Sequence, residues 1–393
     1  MDWYRMKIAV IGGGIVGLSS AYALASRGGD VVVCEQGSIG SGSTERSVGG
    51  IRAQFSTPVN IDLSLESIPV WESFEERFGV DIEYRRTGYL FLGRNEETVQ
   101  ALEETVRLQR ERGVPSELLE AGEIGRYCSG VRTEQFTAGS YSPTDGFVDP
   151  HLALGGYATA CADAGVEIRT NEPVIDVLES TDGDRIVGVE TATDRLEADF
   201  VVNAAGPWAG RVASIAGIEL PIVPTRRQVA IVAPEEPVPE GDPLTVDLES
   251  GTYFRPERDG DALVGGNCPA DSDRDDPRAD PDTYGKSADF EWTAAALETV
   301  SRWTTRFGPD TRVKRGWAGL YAVTPDNHAI VEETSPGFIT AGGFSGHGFQ
   351  HAPATGELVA ELVFDGAISL VDGSALSSDR FDRDEDRTER NVV

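Results

Sequence analysis

An α/β fold in two interleaved domains is predicted by three observations on this chain of 393 residues. The first is an opening strand, glycine loop, helix and second strand over residues 7–35. The second is a change, between Ile222 and Phe307, to short alternating strands broken by Pro and Gly. The third is a late strand, Gly337 to Gly343, that runs into another glycine-rich loop and another helix.

Each part of the opening unit has a mechanical reason. Lys7-Ile8-Ala9-Val10-Ile11 is an apolar strand that leads into Gly12-Gly13-Gly14-Ile15-Val16-Gly17. Gly12 permits the tight turn, Gly14 leaves room for a pyrophosphate against the backbone, and Gly17 lets helix and strand pack closely. Ile15, Val16, Leu18, Ala21, Tyr22 and Ala25 carry helical periodicity, and Gly28-Gly29 stops it. The unpaired N–H groups at the start of that helix favour an anion. Val31-Val32-Val33-Cys34-Glu35 is the second strand, and Glu35 falls where a carboxylate accepts ribose hydroxyls and repels a 2′-phosphate. The unit reads as Rossmann-like and suits FAD or NAD rather than NADP.

A turn-rich segment from Gly37 to Gly50 is followed by a helix-like run from Asn60 to Phe78, read as a surface helix from its acids. Thr87 to Leu92 reads as a strand, and Glu96 to Arg112 as a charged amphipathic helix. After a loop near Tyr141 to Gly146, a helix from His151 to Ala164 and strands at 166–168, 172–177 and 200–202 resume the first pattern. One helix is expected near Ser287 to Phe307, and the last from about Ala354 to Phe364. These readings place a discontinuous Rossmann-like domain at 1–82, 142–221 and 317–381. They place a substrate domain, with a mixed, largely antiparallel β-sheet and helices, at 83–141 and 222–316. Residues 382–393 are expected to be a disordered acidic tail, unable to bury enough apolar surface to offset ordering entropy.

The formal charge is −32, and Lys7, Lys286 and Lys314 are the only lysines. Such a surface repels nucleic acid and anionic membranes. The acids are spread along the chain, with dense runs only at Asp271 to Asp276 and in the tail, which suits a face solvated at high salt. The expected setting is the cytoplasm of a salt-loving, haloarchaeal cell. Cys34, Cys128, Cys161 and Cys268 form no C-x-x-C pair, so neither a zinc site nor a disulfide framework is expected, and no metal. No targeting or membrane-spanning segment is expected either.

The late loop, Gly343-Phe344-Ser345-Gly346-His347-Gly348-Phe349-Gln350, has three glycines within six residues. Its backbone N–H groups can approach a flat, electron-rich ligand edge, and the following helix start can stabilise negative charge there. A flavin C2 carbonyl needs that on reduction.

Five motifs now stand in order: Gly12 to Gly17 with Glu35; Gly42-Ser43-Thr44 to Gly49-Gly50-Ile51-Arg52; Tyr253-Phe254-Arg255-Pro256; Trp317-Ala318-Gly319 with Thr324-Pro325-Asp326; and Gly343 to Gln350. Together they resemble the D-amino-acid-oxidase superfamily of FAD-dependent oxidoreductases, and within it the sarcosine oxidases and related proline dehydrogenase subunits. The resemblance spans residues 7 to 381. It implies FAD with its adenosine on Glu35 and Gln36 and its pyrophosphate at Gly12, Gly14, Ile15, Val16 and Gly17. It implies an isoalloxazine near Gly49, Gly50, Gly346, His347, Gly348, Phe349 and Gln350, with Ser43, Thr44, Gly319 and Gly343 close by. Val174 is similar to a strand residue whose backbone meets the adenine, and Ala205, Gly206 and Trp208 lie in a loop similar to one that closes over the cofactor.

Arg52 matches an arginine that grips the substrate carboxylate, a task suited to a permanently charged fork. Tyr253 and Arg255 are two apart in a presumed strand and share a face, so with His347 and Gln350 they are candidates for the substrate cavity. Three departures from the resemblance matter. Gly319 stands where monomeric sarcosine oxidase has its flavin-linked cysteine, so FAD is expected to be noncovalent. Gln350 stands where a lysine helps to hold the carboxylate. Asp261 to Gly265 lacks the lysine that promotes reaction with oxygen, which favours a dehydrogenase over an oxidase.

The implied reaction is oxidation of a small amino acid or N-methyl amino acid (sarcosine, proline, glycine or a D-amino acid) at its C–N bond by hydride transfer to flavin N5. The implied partners are that substrate and an electron acceptor: oxygen, a quinone or an electron-transfer protein. A hetero-oligomer is compatible with the resemblance. The alternative is a non-catalytic flavin-bearing subunit or assembly factor. An NAD-linked dehydrogenase is a third reading, which leaves the second glycine loop without a role.

Overall fold

The computed structural model describes residues 5–266, 278–383 and 388–392. Lys7–Ile11 pairs in parallel with Asp30–Glu35 on one side and with Phe200–Asn203 on the other. Glu167–Thr170 and Phe338–Gly342 extend the parallel sheet, and Ile330–Ser335 adds an antiparallel sixth strand. Ile8, Val10, Val31 and Val33 are buried on one face and Ala9, Ile11 and Val201 on the other, as expected of strands in a sheet covered on both faces.

The helices Ile15–Ser26 and Gly348–Phe364 pack against each other. Ser19 Oγ donates to the Ala352 carbonyl at 2.8 Å, and a Cβ on Gly356 would lie 2.6 Å from Ser19 Oγ, so Gly356 lets the two backbones approach. Each helix starts at one of the glycine loops, with Gly14 and His347 as the capping positions. Packing the pair therefore brings two loops more than 300 residues apart to one place.

The second sheet has eight strands, from Arg312–Val323 at one edge to Glu117–Glu120 at the other. Neighbours run antiparallel except Leu244–Asp247 beside Tyr89–Gly93. Side chains alternate across it. Phe254 and Val264 face the helix Phe290–Trp303 and pack in one cluster with Trp292, Trp303 and Phe307, while Tyr89, Phe91, Val229, Tyr253 and Leu263 form another.

Four expectations are corrected. The run read as a surface helix is two helices, Pro58–Glu72 and Phe74–Phe78, whose inner side is core: Trp71 stacks between Phe74 and Phe349, with ring centroids 5.6 and 5.3 Å away. The last helix starts at Gly348, not near Ala354: Pro353 lies inside it, where its missing N–H removes only the bond to the Phe349 carbonyl and does not set the helix start. Arg312–Val323 stays in the eight-stranded sheet throughout, paired along Val223–Ala233, so the chain returns to the first sheet after Val323 rather than at Trp317. Finally, part of the expected disordered tail is packed: Glu389 is fully buried, because hydrogen-bond donors surround its carboxylate. Residues 384–387 and 393 of that tail, the Asp271 to Asp276 run and Cys268 lie outside the described residues. Among the described residues no helix is long and apolar enough to cross a membrane, and no group of side chains is disposed to hold a metal ion.

Candidate active site

Both glycine loops open onto one continuous cleft of about 390 Å³ lined from both sheets. At its outer end Glu35 closes the second strand. Its Oε2 accepts from the Gly13 N–H at 2.8 Å and its Oε1 from the Gly37 N–H at 2.7 Å, which fixes the carboxylate on the cleft wall. Gly12 has φ +108°, and a Cβ there would lie 2.6 Å from the Ala204 carbonyl oxygen. A Cβ on Gly17 would lie 1.9 Å from the Gly12 oxygen, so only glycine lets this helix sit on this strand. The helix starting at Ile15 has no side-chain cap from Gly14, and the Ile15 N–H donates to Thr44 Oγ1 at 3.1 Å.

All of the residues singled out in the sequence line this cleft except Gly17, Gly49 and Arg255. Gly17 supports the loop from behind. Gly49 turns the chain at φ +69° against the Val148 carbonyl. Arg255 is turned away from the cleft: its Nη1 donates to the Val48 carbonyl at 2.6 Å, its Nη2 pairs with Glu257 at 2.8 Å, and its guanidinium lies over the Phe147 ring. It braces the loop that carries Gly49 to Arg52. The residues present fit FAD: a glycine cradle at a helix start, a carboxylate fixed for ribose, and a second helix start at Gly346 to Gly348 facing the same space. Tyr321 closes over Gly346, where a Cβ would lie 2.4 Å from its ring.

At the inner end stands Arg52, only 3% exposed. Its Nη1 donates to the Gln54 carbonyl at 2.6 Å, and its Nη2 donates to the Asn391 carbonyl and to His347 Nε2, the latter at 3.3 Å. The guanidinium lies 3.9 Å from the Phe55 ring centroid. Among the described residues it has no ion-pair partner. Burial lowers its pKa, opposed chiefly by the charge of Glu389. Gln350 does not aim its oxygen into the cleft, because Oε1 accepts from the Arg52 N–H at 2.9 Å. Asp145 holds the next residue through the Ala53 N–H at 2.9 Å, and burial pushes its carboxyl up to about 6 against that hydrogen bond and the charge of Arg52.

Because Arg52 can only donate, His347 Nε2 must be the acceptor, and the proton of the neutral ring is on Nδ1. Burial, and then the charge of Arg52, hold the His347 pKa well below the ordinary value. His347 is thus a neutral acceptor that orients the guanidinium. Tyr89, Tyr253 and Tyr321 line the same region, and burial raises all three phenols, so they stay protonated.

Sequence reading missed Tyr89, Tyr321, Arg46 and Arg227 as cleft residues. The alternation in Thr87 to Leu92, and the two-residue spacing of Tyr321 from Gly319, would have found the tyrosines. Arg227 lies opposite Gly319 across a strand pair and has no local signal.

Residues 7–362 match the family described as FAD dependent oxidoreductase. FAD-dependent oxidoreductase domain-containing protein 1 of Xenopus laevis is 32% identical, over 99% of this chain and 85% of its own length. Glycine oxidase of Geobacillus kaustophilus is 26% identical, over 92% of this chain and 93% of its own. The crystal structure of L-proline dehydrogenase from P. horikoshii superposes with a TM-score of 0.86 at 32% identity, covering 97% of this chain and 99% of that one. With its two glycine loops, fixed Glu35 and shared cleft, the chain belongs to the FAD-dependent oxidoreductase family, and FAD is its cofactor.

Proposed function

We propose that this protein is an amino-acid dehydrogenase that oxidises the C–N bond of a small amino acid or N-methyl amino acid, with proline, sarcosine, glycine and D-amino acids as the candidates. One observation carries the reading: the cleft ends on a buried guanidinium with no ion-pair partner among the described residues. A buried charge without a counter-ion is costly, and a substrate carboxylate supplies that counter-ion. The likeness to L-proline dehydrogenase and glycine oxidase supports a zwitterionic substrate.

FAD, when bound, supplies the acceptor for the hydride equivalent leaving the carbon next to nitrogen. The protein contributes position and charge. Arg52 holds the carboxylate, His347 and Gln350 hold Arg52, and the phenols of Tyr89, Tyr253 and Tyr321 offer hydroxyls while excluding water. Burial and the positive charge of Arg52 both disfavour the ammonium form, so the substrate is favoured as the neutral amine, its proton left with bulk water on entry. Gly319 offers no thiol for a covalent link, which supports noncovalent FAD. The stretch Asp261 to Gly265 carries no lysine, which supports an acceptor other than oxygen, although Arg46 and Arg227 do bring cationic side chains to the cleft.

Anaerobic titration of the yellow protein with L-proline, sarcosine, glycine and D-alanine in molar salt, followed by admission of air, tests the reading. Bleaching by one of them and slow recovery in air is the expected result. No bleaching by any would point instead to a flavin-bearing subunit without catalysis, and fast recovery in air to an oxidase.

A further inference from the structure

The segment 388–392 lies against the residues that surround Arg52, and its Glu389 main chain is tied to Asp326 and Asn327. Glu389 is buried, and its carboxylate accepts from Ser56 N–H and Oγ–H, Thr57 N–H and Oγ1–H, Asn60 Nδ2 and the Asn391 N–H, at 2.7 to 3.2 Å. These groups lie at the start of the helix Pro58–Glu72, where a negative charge is favoured. Two residues on, the Asn391 carbonyl accepts from Arg52 Nη2 and its side chain donates to the Gln54 carbonyl at 3.1 Å.

A guanidinium can offer a carboxylate two forks, Nε with Nη2 or Nη1 with Nη2. Both include Nη2, and its two N–H groups go to Asn391 and His347. A two-point grip on a carboxylate therefore needs one of them released. His347 is built into the start of the last helix and packs edge-on to Phe55 at 4.8 Å, whereas Asn391 lies outside any helix or strand and is the easier to displace. Thr388, Arg390 and Asn391 also line a second cavity of about 620 Å³, bounded by residues of Pro58–Glu72 and Glu96–Glu111, which has room for a displaced segment.

We infer that Glu389 is a positioning residue that seats the Asn391 carbonyl on Arg52 in place of a substrate carboxylate, so that strap docking and carboxylate binding compete. The inference rests on the reading of Arg52 as the carboxylate anchor. It sets the apparent affinity of the site: a substrate must displace the strap tip while Glu389 keeps the segment close enough to return.

The test uses the FAD-loaded full chain and pyrrole-2-carboxylate, a planar carboxylate probe, with binding read from the flavin absorbance. Glu389→Ala is expected to bind the probe about tenfold more tightly than wild type, the worth of one hydrogen bond to a charged group. In the wild-type protein, amide hydrogen exchange at 388–392 is expected to quicken when the probe binds. Weaker binding in Glu389→Ala, or exchange that slows or stays unchanged on binding, overturns the strap; tighter binding without the exchange change reduces Glu389 to its charge and overturns it equally. Glu389→Asp, which keeps the charge and shortens the reach, is expected to move in the same direction by less and serves if the alanine variant fails to fold. If Arg52→Gln binds the probe as well as wild type does, the anchor reading itself fails and the strap with it.

Discussion

The two ends of the cleft are made of different material. At the dinucleotide end the contacts are backbone: the Gly13 and Gly37 N–H groups on Glu35, the Ile15 N–H on Thr44, and glycines at which a Cβ would collide with a carbonyl. At the inner end they centre on one side chain, the Arg52 guanidinium, held by His347 and by the Gln54 and Asn391 carbonyls, with the Gln350 side chain on the Arg52 N–H. A backbone site resists most side-chain changes and fails when a Cβ is added, whereas a side-chain site stands or falls on one residue.

The largest effect expected from that contrast is at Arg52. Arg52→Gln should lower kcat/KM by about a thousandfold, since two charge-assisted hydrogen bonds are together worth about 4 kcal/mol, and should leave the flavin content intact. Steady-state kinetics beside the flavin-to-protein absorbance ratio checks both halves, and a loss below tenfold would break the comparison. Next comes Gly12→Ala. With φ +108° and a carbonyl oxygen 2.6 Å from the added Cβ, the substitution should cost about 3 kcal/mol of strain. The variant is expected to purify with little flavin and a lowered Tm.

The same contrast explains what could be read from the sequence. Gly12, Gly14, Gly17 and Glu35 act through spacing within one βαβ unit, so the outer end was legible in about thirty residues of sequence. Arg52, His347 and Gln350 were singled out through resemblance, but their mutual arrangement was not legible, because it depends on a helix pair that joins residues more than 300 apart. Arg255 shows the limit of the two-residue rule: it shares the strand with Tyr253 yet turns to Glu257 and Val48. Glu389 shows the limit of composition. A charged tail looks unable to fold by its own burial, but Ser56, Thr57 and Asn60 supply partners that no local window contains.

Smaller effects sharpen the contrast. Burial, and then the charge of Arg52, hold His351 down to about 3 against an ordinary 6.5. Between those values the unfolded chain takes up a proton that the folded chain refuses, so stability falls as pH drops below 6.5. Asp145, raised to about 6, works the other way: its contribution is present below 3.8 and lost as pH rises toward 6. His347 shares the sign of His351, so the two histidines outweigh the one carboxyl, and urea unfolding should find the protein less stable at pH 5 than at pH 7. His351→Gln should recover about 2 kcal/mol of that difference. A pH dependence unchanged by the substitution would mean that the inner end is not as dry as its burial implies.

The smallest effect belongs to the side chain at the backbone-built end. Glu35→Gln keeps one acceptor oxygen for Gly13 or Gly37 and turns the other position into a donor facing an N–H. The loss should be about 1.4 kcal/mol, or roughly tenfold in the FAD dissociation constant, measured by titrating apoprotein with FAD. The glycine loop and the helix start remain to hold the pyrophosphate, so the variant should still fill with flavin at micromolar concentration. A loss beyond a hundredfold would place the outer end, like the inner one, in the keeping of a single side chain.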